Sequence, residues 1–158
     1  MAPPGLAGGV VMLRKWWCSA RGGAGSWLAV AIFEAAHLDG VLSLCRAEGW
    51  PTFPADPDRA LRVLLAPGTA TVVALGTDGE VVGFAHALSN GLMAYLAELV
   101  VAAEHRDRGI ARKLVAEVFH RSGVVRLDLL STDTAEGFYE ALPHCRYAGF
   151  RLYPSVTP

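Results

Sequence analysis

The sequence predicts an α+β domain with a mixed, mostly antiparallel sheet, one parallel strand pair and about four helices. Three observations predict it. Strand-like apolar runs at 69–75, 80–88 and 92–101 are joined by Thr77-Asp78-Gly79 and Ser89-Asn90-Gly91, two turn signals that make an antiparallel meander. Ala111, Leu114, Val115, Val118 and Phe119 then share one helical face, with a further strand-like run at 124–130; strand, helix, strand implies a parallel pair. With 158 residues, 53% hydrophobic and 18% charged, the chain has material for one core and is unlike a disordered chain.

The elements follow in order. Residues 1–26, rich in Pro and Gly at both ends, place Arg14 and Lys15 after a short apolar run, the reverse of a signal peptide. They are expected to be a flexible extension to a single domain at 27–158. Trp27 to Phe33 has strand length. Leu38, Val41, Leu42, Leu44 and Cys45 form a helical stripe within 36–50, stopped by Gly49-Trp50-Pro51. Asp56-Pro57 reads as an N-cap and first helical position for a helix through Leu65, which Pro67-Gly68 ends. The three meander strands come next. The helix after them closes with His120, Arg121 and Gly123. Asp133 and Glu136 have the spacing of a capping box for a last helix carrying Phe138, Tyr139 and Leu142, and Arg146 to Tyr153 is expected to be extended.

Fourteen Lys and Arg against fifteen Asp and Glu give a formal net charge of −1, which excludes a dedicated binder of long polyanions such as duplex nucleic acid. The mean hydropathy is +0.33, yet the longest hydrophobic run, Trp27 to Phe33, falls well short of the ~17–25 residues of a spanning helix, so no membrane partner is expected. Cys18, Cys45 and Cys145 are odd in number and have neither C-x-x-C spacing nor a histidine pair, which argues against a disulfide framework or a metal site and for a reducing cytoplasm.

The charge is unevenly placed. Residues 105–121 carry a local +3 and 34–58 a local −4. The positive part, Leu99 to Val115, holds the chemistry: a strand, the loop Arg106-Asp107-Arg108-Gly109, then a helix opening with Arg112 and Lys113 in its first turn. Helix N-termini carry unpaired amides and partial positive charge, so cations there are unfavourable unless an anion satisfies both. A solvated basic turn would have the same composition.

Arg106-x-x-Gly109-x-Ala111, directly after Leu99-x-Val101, resembles the R/Q-x-x-G-x-G/A motif of the GNAT superfamily of N-acetyltransferases, and Ala135-x-x-Phe138-Tyr139-Glu140 resembles its second motif. The likeness spans Ala29 to Tyr153. It implies the GNAT fold, whose parallel pair splays to form a cleft for acetyl-coenzyme A as co-substrate, without metal. It further implies that the backbone of Leu99, Val100 and Val101 pairs with the pantetheine arm. The amides from Arg108 through Gly109, Ile110 and Ala111 to Arg112 would hold the pyrophosphate, with Arg106 and Arg112 as direct phosphate ligands. The chain departs from the family at Ala103, where proline is frequent, at Ala111 for the commoner glycine, at Thr132 for asparagine, and in the longer segment Leu142 to Phe150.

The resemblance implies acetyl transfer to a primary amine of a small molecule or protein, by direct attack in a ternary complex. An alkylammonium titrates near ~10, so such a reaction uses a base, and the departing thiolate uses an acid. Tyr139 is the family's usual position for the acid. Glu98, the sole charge in its apolar strand, is the candidate base; strict alternation groups it with Leu96 and Val100. His86 on the neighbouring strand is a second route. An acetyl-cysteine is less favoured, since no base is placed for Cys45 or Cys145. The acidic stretch 34–58 suits a cationic acceptor, and Trp50 and Phe53 are candidates to line its pocket. A homodimer through sheet edges or the last strand is plausible. The competing reading is a non-catalytic acyl-coenzyme A sensor or interaction module with the same cradle.

Overall fold

The computed structural model describes residues 29–154, so the extension expected at 1–26 lies outside the described residues. The chain divides after Asp128 into two compact units.

The first unit opens with strand β1, Ala29–Ile32. A short 3-10 turn at Ala35–His37 follows, in which the Glu34 amide donates to His37 Nδ1 at 3.0 Å. Helix α1, Leu38–Ala47, buries Val41, Leu42, Leu44 and Cys45, which are the positions of the apolar stripe. A four-residue helix, α2 (Thr52–Ala55), raises the helix number among the described residues from about four to five; its Thr-Phe-Pro-Ala sequence has no helical periodicity to announce it. In helix α3, Pro57–Leu64, Asp56 is the N-cap, with Oδ1 accepting from the Arg59 amide at 2.9 Å, and Pro57 occupies the first position where no N–H is needed.

Strands β2 (Thr69–Leu75), β3 (Val81–Ser89) and β4 (Met93–Val101) form the meander, each antiparallel to the next, and β1 pairs antiparallel with β2. Helix α4, Ile110–Ser122, returns the chain to strand β5, Arg126–Leu129. The Val125 amide donates to the Leu92 carbonyl at 3.0 Å, so β5 starts beside the start of β4 and runs with it. The sheet order is β1-β2-β3-β4-β5, four antiparallel strands with one parallel pair at the β5 edge, as the strand-helix-strand pattern predicts.

Cross-strand register sorts the two faces. Val73, Phe84 and Val100 stand in one row and pack with Phe33, Val41, Leu44, Cys45 and Leu64 in a core on the α1 and α3 side. The opposite face carries Ala74, Gly83, Ala85 and Ala87, small residues that let α4 lie close, with Leu114 and Val118 fully buried beneath it.

The second unit holds a 3-10 turn at Asp133–Ala135 and helix α5, Glu136–Glu140. No side chain caps either, so the capping box expected from Asp133 and Glu136 does not form; the backbone closes the turn instead, Ala135 donating to the Thr132 carbonyl at 3.0 Å. Arg146 binds Glu136 and, at 2.7 Å, Glu140. The stretch 146–153, expected to be extended, forms no strand and carries no regular element, with Tyr147, Phe150, Leu152 and Tyr153 exposed. Strand propensity alone does not hold an extended segment without a ladder partner.

Candidate active site

The basic loop and the start of α4 form a cradle. Asp107 (φ 61°) and Gly109 (φ 76°) both adopt left-handed conformations on either side of Arg108. Gly109 is the helix N-cap, and nothing beyond its own chain neighbours lies within 4 Å of where its Cβ would be, so backbone conformation rather than crowding calls for glycine there. The first i−4 bond of the helix is that of the Lys113 amide to the Gly109 carbonyl, 3.2 Å. The amides of Ile110, Ala111 and Arg112 precede it, Gly109 has no side chain to cap them, and the first turn contains no acid. With exposed Arg108 beside them and Arg112 and Lys113 in the same turn, this end of α4 suits a compact anion. The residues present therefore fit a diphosphate.

Arg106 does something else. Its Nε donates to the Val101 carbonyl at 3.0 Å and its Nη2 pairs with Glu48, the residue that ends α1. Glu48 has no sequence signal that marks it as a partner, because 58 residues separate the two.

The edge of β4 is sorted by its pairing to β3. The Ala102 amide donates to the Val82 carbonyl at 2.8 Å, and the register continues through Val100 with Phe84 and Glu98 with His86. Polar groups of alternate residues point alternately to the two sides of a strand, so those of Val100 are used by β3 and those of Leu99 and Val101 point away from it. Of the three residues expected to meet a pantetheine arm, Leu99 and Val101 have the required direction. The Val101 carbonyl is already taken by Arg106, which leaves the Leu99 amide and carbonyl and the Val101 amide.

A bulge re-aims Glu98. His86 pairs with Glu98 and Ala87 with Leu96, so Ala97 is an extra residue in β4. Strict alternation would put Leu96 and Glu98 on one face; with the bulge between them they lie on opposite faces. Glu98, half-buried, shares the α1 and α3 side with Val100, Phe84 and His86. Its charge reaches Cys45 on α1, whose thiol burial first and Glu98 second push up to about 11.

Thr71, His86 and Glu98 form a polar row across β2, β3 and β4. Thr71 Oγ1 lies 2.8 Å from His86 Nδ1 and donates to the Leu64 carbonyl at 2.7 Å. Burial holds the His86 imidazole down at about 4, so it is neutral at physiological pH. Thr71 had a faint sequence signal, since counting back from the Asp78-Gly79 turn puts it nearly opposite His86.

Tyr139 belongs to the second unit, in α5, with its ring edge-on to Phe138 at 4.9 Å between centroids. Burial pushes its phenol above the usual tyrosine range, so the hydroxyl keeps its proton at neutral pH. Among the described residues no group of three or more His, Cys, Asp or Glu is placed to hold a metal ion.

A family model for the GNAT acetyltransferase domain matches residues 67–142, which contain the meander, the cradle and Tyr139. A solved structure of a Deinococcus radiodurans R1 protein, assigned as an acetyltransferase, is 30% identical with TM-score 0.64, covering 80% of this chain and 88% of that one. The aminoglycoside N-acetyltransferase AAC(6')-Iy in complex with CoA is 23% identical with TM-score 0.70, over 86% of this chain and all but 1% of the other, which covers 99%. The aminoglycoside 6'-N-acetyltransferase AAC(6')-Ih of Acinetobacter baumannii is 16% identical with TM-score 0.68, covering 84% and 100%, and shares the fold. No curated protein sequence matches the chain. Motif, fold and family model agree, and the chain belongs to the GNAT acetyltransferase family.

Proposed function

We propose that the protein is an acetyl-CoA-dependent N-acetyltransferase that acts on a primary amine in a ternary complex. The observation that carries this reading is the uncapped, cation-lined N-terminus of α4, set directly after the outward-facing edge of β4, in the segment that matches the family. Bound acetyl-CoA supplies an activated thioester acyl group. The amides of Ile110, Ala111 and Arg112, with Arg108 beside them, bind its diphosphate, and the Leu99 and Val101 backbone groups orient its extended arm. Glu98 takes the proton from the acceptor ammonium, and Tyr139 Oη holds the proton that a departing thiolate requires. Cys45 is not a nucleophile in this reading: a thiol held at about 11 is almost wholly protonated at neutral pH. Free thiols at Cys45 and Cys145 support a cytoplasmic setting.

The acceptor is an amine of a small molecule or protein, of modest positive charge. Of the five acids in 34–58, Asp56 caps α3, Glu34 shares its short turn with His37, and Glu48 is neutralised by Arg106, which leaves Asp39 and Asp58 for attraction. Aminoglycosides, the substrates named for two of the structural neighbours, belong in the first test panel beside simple alkylamines and peptides. The test follows free thiol release from acetyl-CoA with each acceptor. Acceptor-dependent release supports the reading; tight coenzyme binding with no release for any acceptor would leave an acyl-CoA sensor in its place.

A further inference from the structure

We propose that Arg106 is a positioning residue, not a phosphate ligand: with Glu48 and the Val101 carbonyl it forms a bridge that fixes the cradle to the end of α1. This rests on the coenzyme-binding reading of the cradle.

Three observations carry it. First, both ends of the guanidinium are engaged within the protein, Nε by the Val101 carbonyl at 3.0 Å and Nη2 by the Glu48 carboxylate. Arginine alone has the rigid planar fork to hold two such acceptors in different directions; lysine presents one mobile point charge. Second, the chain on either side needs fixing. Between the end of β4 and the start of α4 it passes through a 3-10 turn at Ala103–His105 and the left-handed Asp107, with no regular ladder to hold it. Arg106 itself is extended (φ −67°, ψ 166°), at the point where the turn hands over to the cradle. Third, the bridge ties the loop to a second element: Glu48 is the C-terminal cap of α1, the helix that carries Cys45 within reach of the Glu98 charge. Pulling Glu48 and Arg106 together sets the loop against that helix, and the Val101 bond ties the same loop to the β4 edge.

The ion pair is partly exposed, with the Arg106 side chain 48% and the Glu48 side chain 28% accessible, so its value lies in orientation rather than in stability. The two roles for Arg106 predict opposite signs at Glu48. Removing a carboxylate near an anion site strengthens anion binding if Arg106 is a ligand, because it releases a cation toward the phosphates. It weakens binding if Arg106 works only through the bridge.

The test is calorimetric binding of coenzyme A to the full chain and to Glu48→Gln, Arg106→Gln, Arg106→Lys and the double variant Glu48→Gln/Arg106→Gln. Binding is measured at a temperature where circular dichroism shows each to be folded. The bridge predicts that all three single variants bind coenzyme A about tenfold more weakly, and that the double variant is no weaker than either glutamine single, the signature of groups acting as one unit. It also predicts that the salt dependence of binding is unchanged in Arg106→Gln, since no ligand charge has been removed. Unchanged or tighter binding in Glu48→Gln, with Arg106→Lys close to wild type and a shallower salt dependence in Arg106→Gln, would overturn the proposal and make Arg106 a phosphate ligand. Absence of coenzyme A binding to the wild-type chain is a different result, and it would remove the coenzyme reading itself.

Discussion

His86 and Thr71 face each other across β2 and β3, with Nδ1 2.8 Å from Oγ1. The threonine hydroxyl has one proton and donates it to the Leu64 carbonyl at 2.7 Å. The histidine must therefore be the donor at Nδ1, which fixes its neutral tautomer and leaves Nε2 as an acceptor. A buried polar pair in an apolar sheet face is satisfied in this way without any charge.

The pair makes acid stability readable. The folded pKa of His86, about 4, lies below the ordinary 6.5, so the unfolded chain takes up a proton that the folded chain refuses. Stability is complete above about pH 6.5 and declines as pH falls toward 4. The full loss is on the order of 3 kcal/mol for this one group. Urea unfolding of wild type at pH 7, 6 and 5 is expected to show this decline, and His86→Gln, which keeps a donor for Thr71 but does not titrate, is expected to lose clearly less over the same interval. Equal declines in both proteins would place the acid sensitivity elsewhere.

Cys45 offers a second reading of the same core. It is 1% exposed, and burial with Glu98 nearby pushes its thiol up to about 11, whereas Cys145 is exposed. In a Cys18→Ser/Cys145→Ser background, the remaining thiol is expected to react with a disulfide reagent at pH 8 only as fast as the protein opens, and at once in denaturant. Immediate stoichiometric labelling of the native protein would contradict the burial, and transient acetylation of this cysteine during turnover would contradict the direct mechanism.

The fold was legible because its signals are local and repeated. Hairpin residues at Asp78-Gly79 and Asn90-Gly91, the cap at Asp56 and the apolar face of α4 each name their element without help from elsewhere. The cradle was legible for the same reason, since Arg106 through Ala111 is one short stretch. What the sequence hid depends on pairing. The bulge at Ala97 breaks a strand that reads as a plain alternation, and only the partner strand shows it. Glu48 is an ordinary helix-terminal acid until Arg106 arrives. Arg146 to Tyr153 has strand composition but lacks the neighbour that would make it a strand.

The close approach of α4 to the sheet rests on Gly83. A Cβ there would meet the Val100 carbonyl at 2.9 Å and Leu114 Cδ1 and Val101 Cγ2 at 3.3 Å. Backbone on one side and a fully buried leucine on the other leave little room to give. Gly83→Ala is expected to destabilise the fold by about 1–3 kcal/mol through overpacking. Because Leu114 lies about one turn from the N-terminus of α4, where the cradle sits, coenzyme A affinity should fall with stability. Chemical denaturation and coenzyme titration of the same variant check both effects, and a neutral Gly83→Ala would show that the α4 layer is loosely packed.

Glu98 and Tyr139 separate by the pH at which each matters. In Glu98→Gln no carboxylate stands at this position to accept the ammonium proton, so kcat/KM at pH 7 is expected to fall by about 10²–10⁴. The deficit should shrink as pH approaches the amine's own pKa near ~10, because the acceptor then arrives already neutral. Tyr139→Phe removes a proton donor and should behave differently. Its phenol is held above its ordinary pKa of 10.0, so wild type loses no donor below that value, and the variant is expected to show a deficit in kcat that does not change with pH up to 9. Coenzyme A affinity should be unchanged in both variants, since neither side chain belongs to the cradle. A Glu98→Gln deficit that stays constant up to pH 9 would mean that the carboxylate orients the acceptor, and the proton would then need another base. His86 is a poor choice for that base. Its ring is only 2% exposed and its Nδ1 is engaged with Thr71 Oγ1 at 2.8 Å, so it is not open to an acceptor amine.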